Sequence, residues 1–337
     1  MRAVVWRGPD QLEAAEVPDL RPERGEVLLR VRDCGICGSD LHAAKLGLTL
    51  QPGCVLGHEF AGSIAELGEG VSGWEVGDRV VSLPFHACGS CDRCHAGEGV
   101  FCAGVRGIGL GDLPGAYAEY TRVVPQSLLR LPDPVSFRQG ALVEPLAVGL
   151  HAVREGRVPR GGTVVIMGAG PIGLVTALWA KREGAGCVVV SEPSEGRRKL
   201  AARMGADSTV DPAREGPCDA ARALSGREPD VIFECVGVPG MIDAAIQMAP
   251  LQARIVVAGV CMEPDTLLPV LGIMKEIEIK FVLAYRKGEF QDAIDALAKG
   301  SLPVDPMITD VIGLDGVPDA FRALATPTTQ SKVLIEP

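Results

Sequence analysis

Residues 163–173, Thr-Val-Val-Ile-Met followed by Gly-Ala-Gly-Pro-Ile-Gly, decide the fold. A short apolar, β-branched run meets three spaced glycines, and an apolar helix-forming stretch, LVTALWAKREG, comes directly after. The pattern predicts a strand, a tight turn and a helix. The glycines allow the turn and let the backbone approach a pyrophosphate, to which the helix N-terminus offers free N–H groups and partial positive charge. Gly168, Gly170, Pro171, Ile172 and Gly173 are the candidate contacts. Residues 161–180 carry no charge over a membrane-spanning length, but glycines and a proline at the centre favour strand, turn and helix over one continuous span.

Working outward, Cys187–Val190 reads as the next strand. It ends at Ser191-Glu192, nineteen residues past Gly173, close to the ~20-residue offset of a ribose-binding acid. A carboxylate there accepts both ribose hydroxyls and repels a 2′-phosphate, so NAD is favoured over NADP. Arg197 and Arg198 follow; they could flank the adenine or leave room for NADP. Further apolar runs at 230–235, 254–259 and 277–284, with helical segments between, predict a parallel sheet.

The first 140 residues differ. Runs at 3–6, 26–31, 60–67, 79–83 and 116–124 are strand-like, with glycine or proline separating them, which predicts a mainly β domain. Residues 140–155 read as a helix. The tail contains a helix near 289–299 and a last strand near 332–335, and is expected to rejoin the first domain. The division expected is 1–144 with 285–337, against 145–284. The 337-residue length suits two domains.

A net charge of −10, from 33 basic and 43 acidic residues, argues against nucleic acid or anionic lipid as partner. The start, MRAVVWRGPD, has no signal-peptide core, and the expectation is a soluble, cytoplasmic protein. In that compartment the eleven cysteines point to metal before disulfides. Cys88, Cys91, Cys94 and Cys102 can close a tetrahedron around zinc, a structural site with no open position. An iron–sulfur cluster or a redox switch is the alternative, and His86 and His95 are read as bystanders.

Metal-type residues also occur in three separated pieces: Cys34-Gly35-Ile36-Cys37-Gly38-Ser39-Asp40-Leu41-His42, Gly57-His58-Glu59, and Glu144. Spacing alone does not join them. His58 could be a satisfied core histidine, and Cys34 with Cys37 a redox pair.

CGICGSDLH, then GHE, the four cysteines, ALVEPLAVGLHA, GAGPIG and SKVLIEP resemble, in content and order, the zinc-containing medium-chain dehydrogenases across essentially the whole chain. The resemblance implies an α/β protein with a GroES-like, mainly β catalytic domain and a Rossmann doubly wound parallel sheet. It implies NAD and two zinc ions per chain, one catalytic and one structural. Cys37 and His58 match zinc ligands, Glu59 the adjacent carboxylate, and Glu144 the position that is cysteine in liver-type alcohol dehydrogenases and glutamate in the sorbitol, threonine and butanediol branch. Asp40 matches the carboxylate that orients the ligand histidine. Ser39 would take the substrate proton and pass it through the nicotinamide ribose to His42. Val260 would lie near the nicotinamide amide, and Lys332 near the pyrophosphate.

Two departures stand out. Ala43 occupies the place of an aromatic residue common in sorbitol dehydrogenases, and Glu192 that of a commoner aspartate. Leu46, Leu48 and Leu50 could line an apolar pocket or belong to the core. The function implied is hydride transfer between NAD(H) and a secondary alcohol or polyol, in a homo-tetramer or homo-dimer. The alternatives are NADPH-dependent reduction of a carbon–carbon double bond and, in another class, a non-catalytic binding or structural protein on the same fold.

Overall fold

The structure is a computed structural model and describes residues 1–47, 50–111, 113–326 and 329–337. The chain forms two compact units, Met1–Glu144 with Tyr285–Pro337, and Pro145–Ala284.

In the second unit six strands lie parallel. Their order is Ser208–Val210, Cys187–Ser191, Thr163–Met167, Val231–Glu234, Arg254–Val257, Glu278–Phe281. Numbered along the chain that is 3-2-1-4-5-6, the Rossmann arrangement. TVVIM, CVVVS, VIFE and RIVV are buried at every position, as strands covered on both faces must be. The edge strands STV and EIKF are more exposed. STV, short and polar, was not legible as a strand. Pro171–Arg182 is the helix after the glycines, so the uncharged 161–180 stretch is a strand, a turn and a helix. Among the described residues no helix is long and apolar enough to cross a membrane.

The first unit is built on a seven-stranded sheet, ordered Ile308–Ile312, Lys332–Ile335, Val27–Gly35, Glu59–Leu67, Arg79–Ser82, Leu128–Arg130, with Tyr120–Val123 also pairing Val27–Gly35. The last strand of the chain thus lies beside the strand that leads to Cys37. Two expected elements shift. The 116–124 run is a strand only from Tyr120, because the Ala116 and Tyr117 N–H groups turn to the Gly57 and Leu56 carbonyls. The 140–155 helix is split into Phe137–Ala141 and Val143–Gly156. Ala43, Ala44 and Leu50 belong to the hydrophobic core with Trp6 and Tyr117, whereas Leu46 is exposed. Ala43 is therefore a core residue, and Leu48 lies outside the described residues.

Candidate metal centres and nucleotide turn

Strand register brings the separated metal-type residues together. Gly35 pairs with Glu59 on one side and Leu334 on the other, and Cys34 pairs with Phe60. Two residues past Gly35 the chain reaches Cys37 and turns into the helix Gly38–Leu46. One residue before Glu59 stands His58. The ligand atoms of Cys37, His58 and Glu59 lie within 4.8 Å of one another.

The cluster is held from behind by Asp40, which is fully buried. Its Oδ2 accepts from Tyr117 Oη at 2.6 Å and from the Cys37 N–H at 3.0 Å; its Oδ1 accepts from His58 Nδ1 at 3.0 Å. Burial works to raise the Asp40 carboxyl, but His58, Tyr117 and the Cys37 amide outweigh it and hold the group below the usual carboxylate range. Burial works to lower the His58 imidazole, but Asp40 and Cys37 outweigh it and raise it well above its usual range. An ionised Asp40 only accepts, so Nδ1 carries a proton and Nε2 is the nitrogen left to bind a metal, on giving up its own proton. Ser39 Oγ lies 3.4 Å from that Nε2 and donates to Cys37 Sγ at 3.2 Å. His42, three residues on in the same helix, is half-buried, with Nδ1 unpartnered among the described residues. A thiol, an imidazole nitrogen and a carboxylate converging in this way form a donor set suited to zinc.

Glu59 reaches across Gly35 to Lys332. A Cβ on Gly35 would overlap Glu59 Oε2. Lys332 Nζ lies 2.7 and 2.6 Å from the two Glu59 oxygens and 2.9 Å from the Ile36 carbonyl. The expectation that Lys332 approaches a pyrophosphate is therefore corrected. Its three donors are spent and it is 1% exposed. Strand pairing, which carries no motif, sets this role, and nothing in the sequence marked Tyr117 or Gly35 either. Gly57 has a similar local cause: its φ is +99°, and a side chain there would strike the Tyr117 ring.

Glu144 is outside the convergent donor set among the described residues. Burial pushes its carboxyl up to about 7, with His58 opposing, Glu59 adding and Lys332 opposing. It is an electrostatic neighbour of the cluster.

Cys88, Cys91, Cys94 and Cys102 form a second donor set. Cys94 Sγ lies 3.5 Å from Cys91 Sγ and 3.8 Å from Cys88 Sγ. Bonds of ~2.3 Å to a tetrahedral zinc imply edges of about 3.8 Å, so the spacing fits. The Cys88 and Gly104 N–H groups donate to Cys102 Sγ. His86 is buried, with neither ring nitrogen hydrogen-bonded among the described residues.

At the nucleotide turn Gly168 has φ +93°. A Cβ on Gly173 would run into the Gly168 carbonyl, so helix and strand close up only with glycine there. A Cβ on Gly170 would meet nothing within 4 Å; the space over the turn is open to a phosphate. Pro171 begins the helix, and the Ile172 carbonyl accepts from Thr176 Oγ1. Glu192 is buried, its Oε2 accepting from Ala169 N–H and its Oε1 from Ser194 N–H, both at 2.9 Å. Arg198 is committed to the Glu192 and Pro193 carbonyls. Arg197 lies in the first turn of the helix Glu195–Arg203, its N–H directed at Ser194 Oγ. Val260 is 54% exposed beyond the strand Arg254–Val257.

Known proteins carry the same two parts. Residues 23–133 match the alcohol dehydrogenase GroES-like domain, and residues 171–299 the zinc-binding dehydrogenase family model. The 2-dehydro-3-deoxy-L-galactonate 5-dehydrogenase of Pseudoalteromonas atlantica is 34% identical, covering 100% of this chain and 98% of its own. Human sorbitol dehydrogenase is 34% identical over 95% of this chain and 91% of its own. The crystal structure of 2R,3R-butanediol dehydrogenase from Bacillus subtilis superposes with a TM-score of 0.89 at 32% identity, covering 100% of this chain and 99% of that one. With whole-length relatives above 30% identity and both domain models matched, this chain belongs to the zinc-containing medium-chain dehydrogenase family of oxidoreductases.

Proposed function

We propose that the protein moves a hydride between NAD(H) and a secondary alcohol or polyol, with zinc held by Cys37, His58 and Glu59. The observation that carries this reading is the convergence of those three donors in front of the buried Asp40. When bound, zinc supplies a Lewis acid that lowers the pKa of the substrate hydroxyl, and NAD supplies the hydride acceptor. The chain's own residues handle the rest. Asp40 fixes the His58 tautomer. Lys332 neutralises Glu59 and holds it in place. Ser39 Oγ, poised between Cys37 and His58, takes the substrate proton, and His42 passes it on toward solvent. Glu144 keeps the site polar beside the donors.

The finer assignments have separate supports. NAD is preferred over NADP because the Glu192 carboxylate, directly after the strand Cys187–Ser191, would repel a 2′-phosphate. A second, structural zinc is assigned to the four cysteines by their sulfur spacing. Gly168, Gly170, Pro171, Ile172 and Gly173 cradle the pyrophosphate, with Arg197 and Val260 flanking the cofactor. A homo-tetramer or homo-dimer is supported by the exposed Ile273 and Met274 on the helix Pro269–Lys275, with Phe281 in the edge strand of the parallel sheet and Leu283 just past it. The cytoplasm is the proposed compartment, because both metal clusters need reduced thiols.

The test is NAD reduction by purified protein with a panel of secondary alcohols and diols, alongside metal analysis. Activity lost on chelation and in Cys37→Ala supports the reading. Activity persisting in metal-free protein, or turnover of enones with NADPH alone, overturns it.

A further inference from the structure

Glu234 ends the strand Val231–Glu234, next to the strand that carries the glycine turn. It is 1% exposed, and no ion pair is recorded for it among the described residues. Its bonding is all to backbone. Oε1 accepts from the Val236 N–H at 2.7 Å and the Gly237 N–H at 2.9 Å. Its main-chain carbonyl accepts from the Ala258 N–H at 2.8 Å and the Gly259 N–H at 2.9 Å. One residue therefore ties together two strand-end turns, 235–237 and 258–260, that are far apart in sequence.

The two turns interlock without side chains. A Cβ on Gly237 would come 2.5 Å from the Val260 N and 2.8 Å from the Val260 carbonyl oxygen. A Cβ on Gly259 would come within 2.6 Å of Glu234 Oε2. Gly237 is also left-handed, with φ +72°. On the other side, Val236 packs against the glycine turn, with Cγ2 where a Cβ on Gly168 would be 3.0 Å away. The backbone at Val260 is thus placed by Glu234, whereas the contact with the glycine turn is made by Val236. A parallel sheet of this order binds its ligand beyond the carboxyl ends of strands 1 and 4, where strand order reverses. Glu234 is the last residue of strand 4. Two N–H groups on one side-chain oxygen and two on the main-chain carbonyl of the same residue suit a joint that must hold two turns in register.

We propose that Glu234 is a positioning residue for the nicotinamide half of the cofactor, acting through the backbone of the 235–237 and 258–260 turns. This rests on the reading that NAD binds at the glycine turn with Val260 beside its nicotinamide.

The experiment compares NADH with ADP-ribose, which keeps the adenosine and pyrophosphate and lacks the nicotinamide. Dissociation constants for both are measured by calorimetry for wild type, Glu234→Gln and Glu234→Ala, with melting curves alongside. Glu234→Gln keeps an acceptor oxygen and guards against a folding failure in the alanine variant. The expectation is that NADH weakens about tenfold in Glu234→Ala, a loss of ~1.4 kcal/mol, and less in Glu234→Gln. ADP-ribose should bind both variants as it binds wild type. A merely structural role would lower melting temperatures while moving both ligands together. Equal weakening of the two, or unchanged NADH affinity in both variants, overturns the proposal. If wild type binds neither ligand, the nucleotide reading falls and takes the proposal with it.

Discussion

Lys332 and Glu59 face each other across Gly35, on the two strands that flank it, with Nζ 2.7 and 2.6 Å from the carboxylate oxygens and both residues 1% exposed. Burial by itself would lower the lysine's pKa, but the neighbouring Glu59 more than offsets it and raises it. Breaking such a pair from one side strands a buried charge, at a cost of about 3–5 kcal/mol. Lys332→Met should therefore shift the urea midpoint strongly downward at matched metal content. Adding Glu59→Gln should recover much of the loss, and a double-mutant cycle reads the coupling. Gly35→Ala should mimic the disruption, since its new methyl would occupy the space of Glu59 Oε2. Strictly additive single and double variants would show that the pair contributes nothing.

Asp40 is expected to control zinc retention at the Cys37 cluster without touching the metal. Asp40→Asn keeps the shape but puts an N–H₂ where an oxygen accepted from His58, Tyr117 or Cys37. Loss of such an orienting group typically weakens metal binding 10–100-fold. Tyr117→Phe removes one of the three donors and should cost less. Competition with a chromophoric chelator gives both values, and wild-type affinity in Asp40→Asn would refute the assignment.

How much of this was readable in the sequence follows from how local each feature is. The glycine turn and the four cysteines are contiguous, and spacing alone exposed them. The strands TVVIM and CVVVS announced themselves because both faces are buried. Cys37 and His58 were joined only by resemblance; the cause, the Gly35–Glu59 register, depends on strand pairing that no local pattern encodes. Lys332 is 273 residues from Glu59, and its expected partner was wrong for that reason. Tyr117 and Glu234 lie in ordinary strand-like or strand-end segments. What marks each of them is a buried polar atom whose partners exist only once the chain has folded.

The four-cysteine lobe should bind its own zinc independently of the Cys37 cluster. Cys91→Ser removes one of the four sulfurs. Zinc content is expected to fall from about two ions per chain to about one, with faster proteolysis confined to the 88–102 loop, because the metal supplies much of the order of such a segment. Unchanged zinc content in Cys91→Ser would remove this site from the assignment.

Glu192 should not behave as a simple cofactor-selectivity switch. Both of its oxygens already accept backbone N–H groups, from Ala169 and from Ser194. Glu192→Ala removes the repulsion toward a 2′-phosphate but also releases the glycine turn. Affinity for NADH should drop about tenfold or more, as hydrogen bonds to a charged group are worth ~1.5–3 kcal/mol each. NADPH affinity should not rise above the wild-type value. A clean swap of preference, with NADPH gaining what NADH loses, would show that the turn stands without the carboxylate.

Asp33 sets a pH dependence of stability opposite to the usual carboxylate. It is buried in the strand Val27–Gly35, with Oδ1 lacking any hydrogen-bond partner among the described residues and Arg138 Nε at 3.6 Å. Burial pushes its carboxyl up to about 6, with Arg138 opposing, Glu336 adding and Arg32 opposing. In the unfolded chain it titrates near an ordinary value of ~3.9. Between these two pH values the folded state binds more protons than the unfolded state, so this group's contribution to stability falls as pH rises and is constant above about 6. Asp33→Asn removes the buried charge while keeping the shape. The variant should melt a few degrees above wild type at pH 7.5, and the gap should close as pH is lowered from 6 toward 4. Melting curves across that range decide it. A wild type that is more stable than Asp33→Asn at pH 7.5 would mean that the ion pair with Arg138 outweighs the cost of burial.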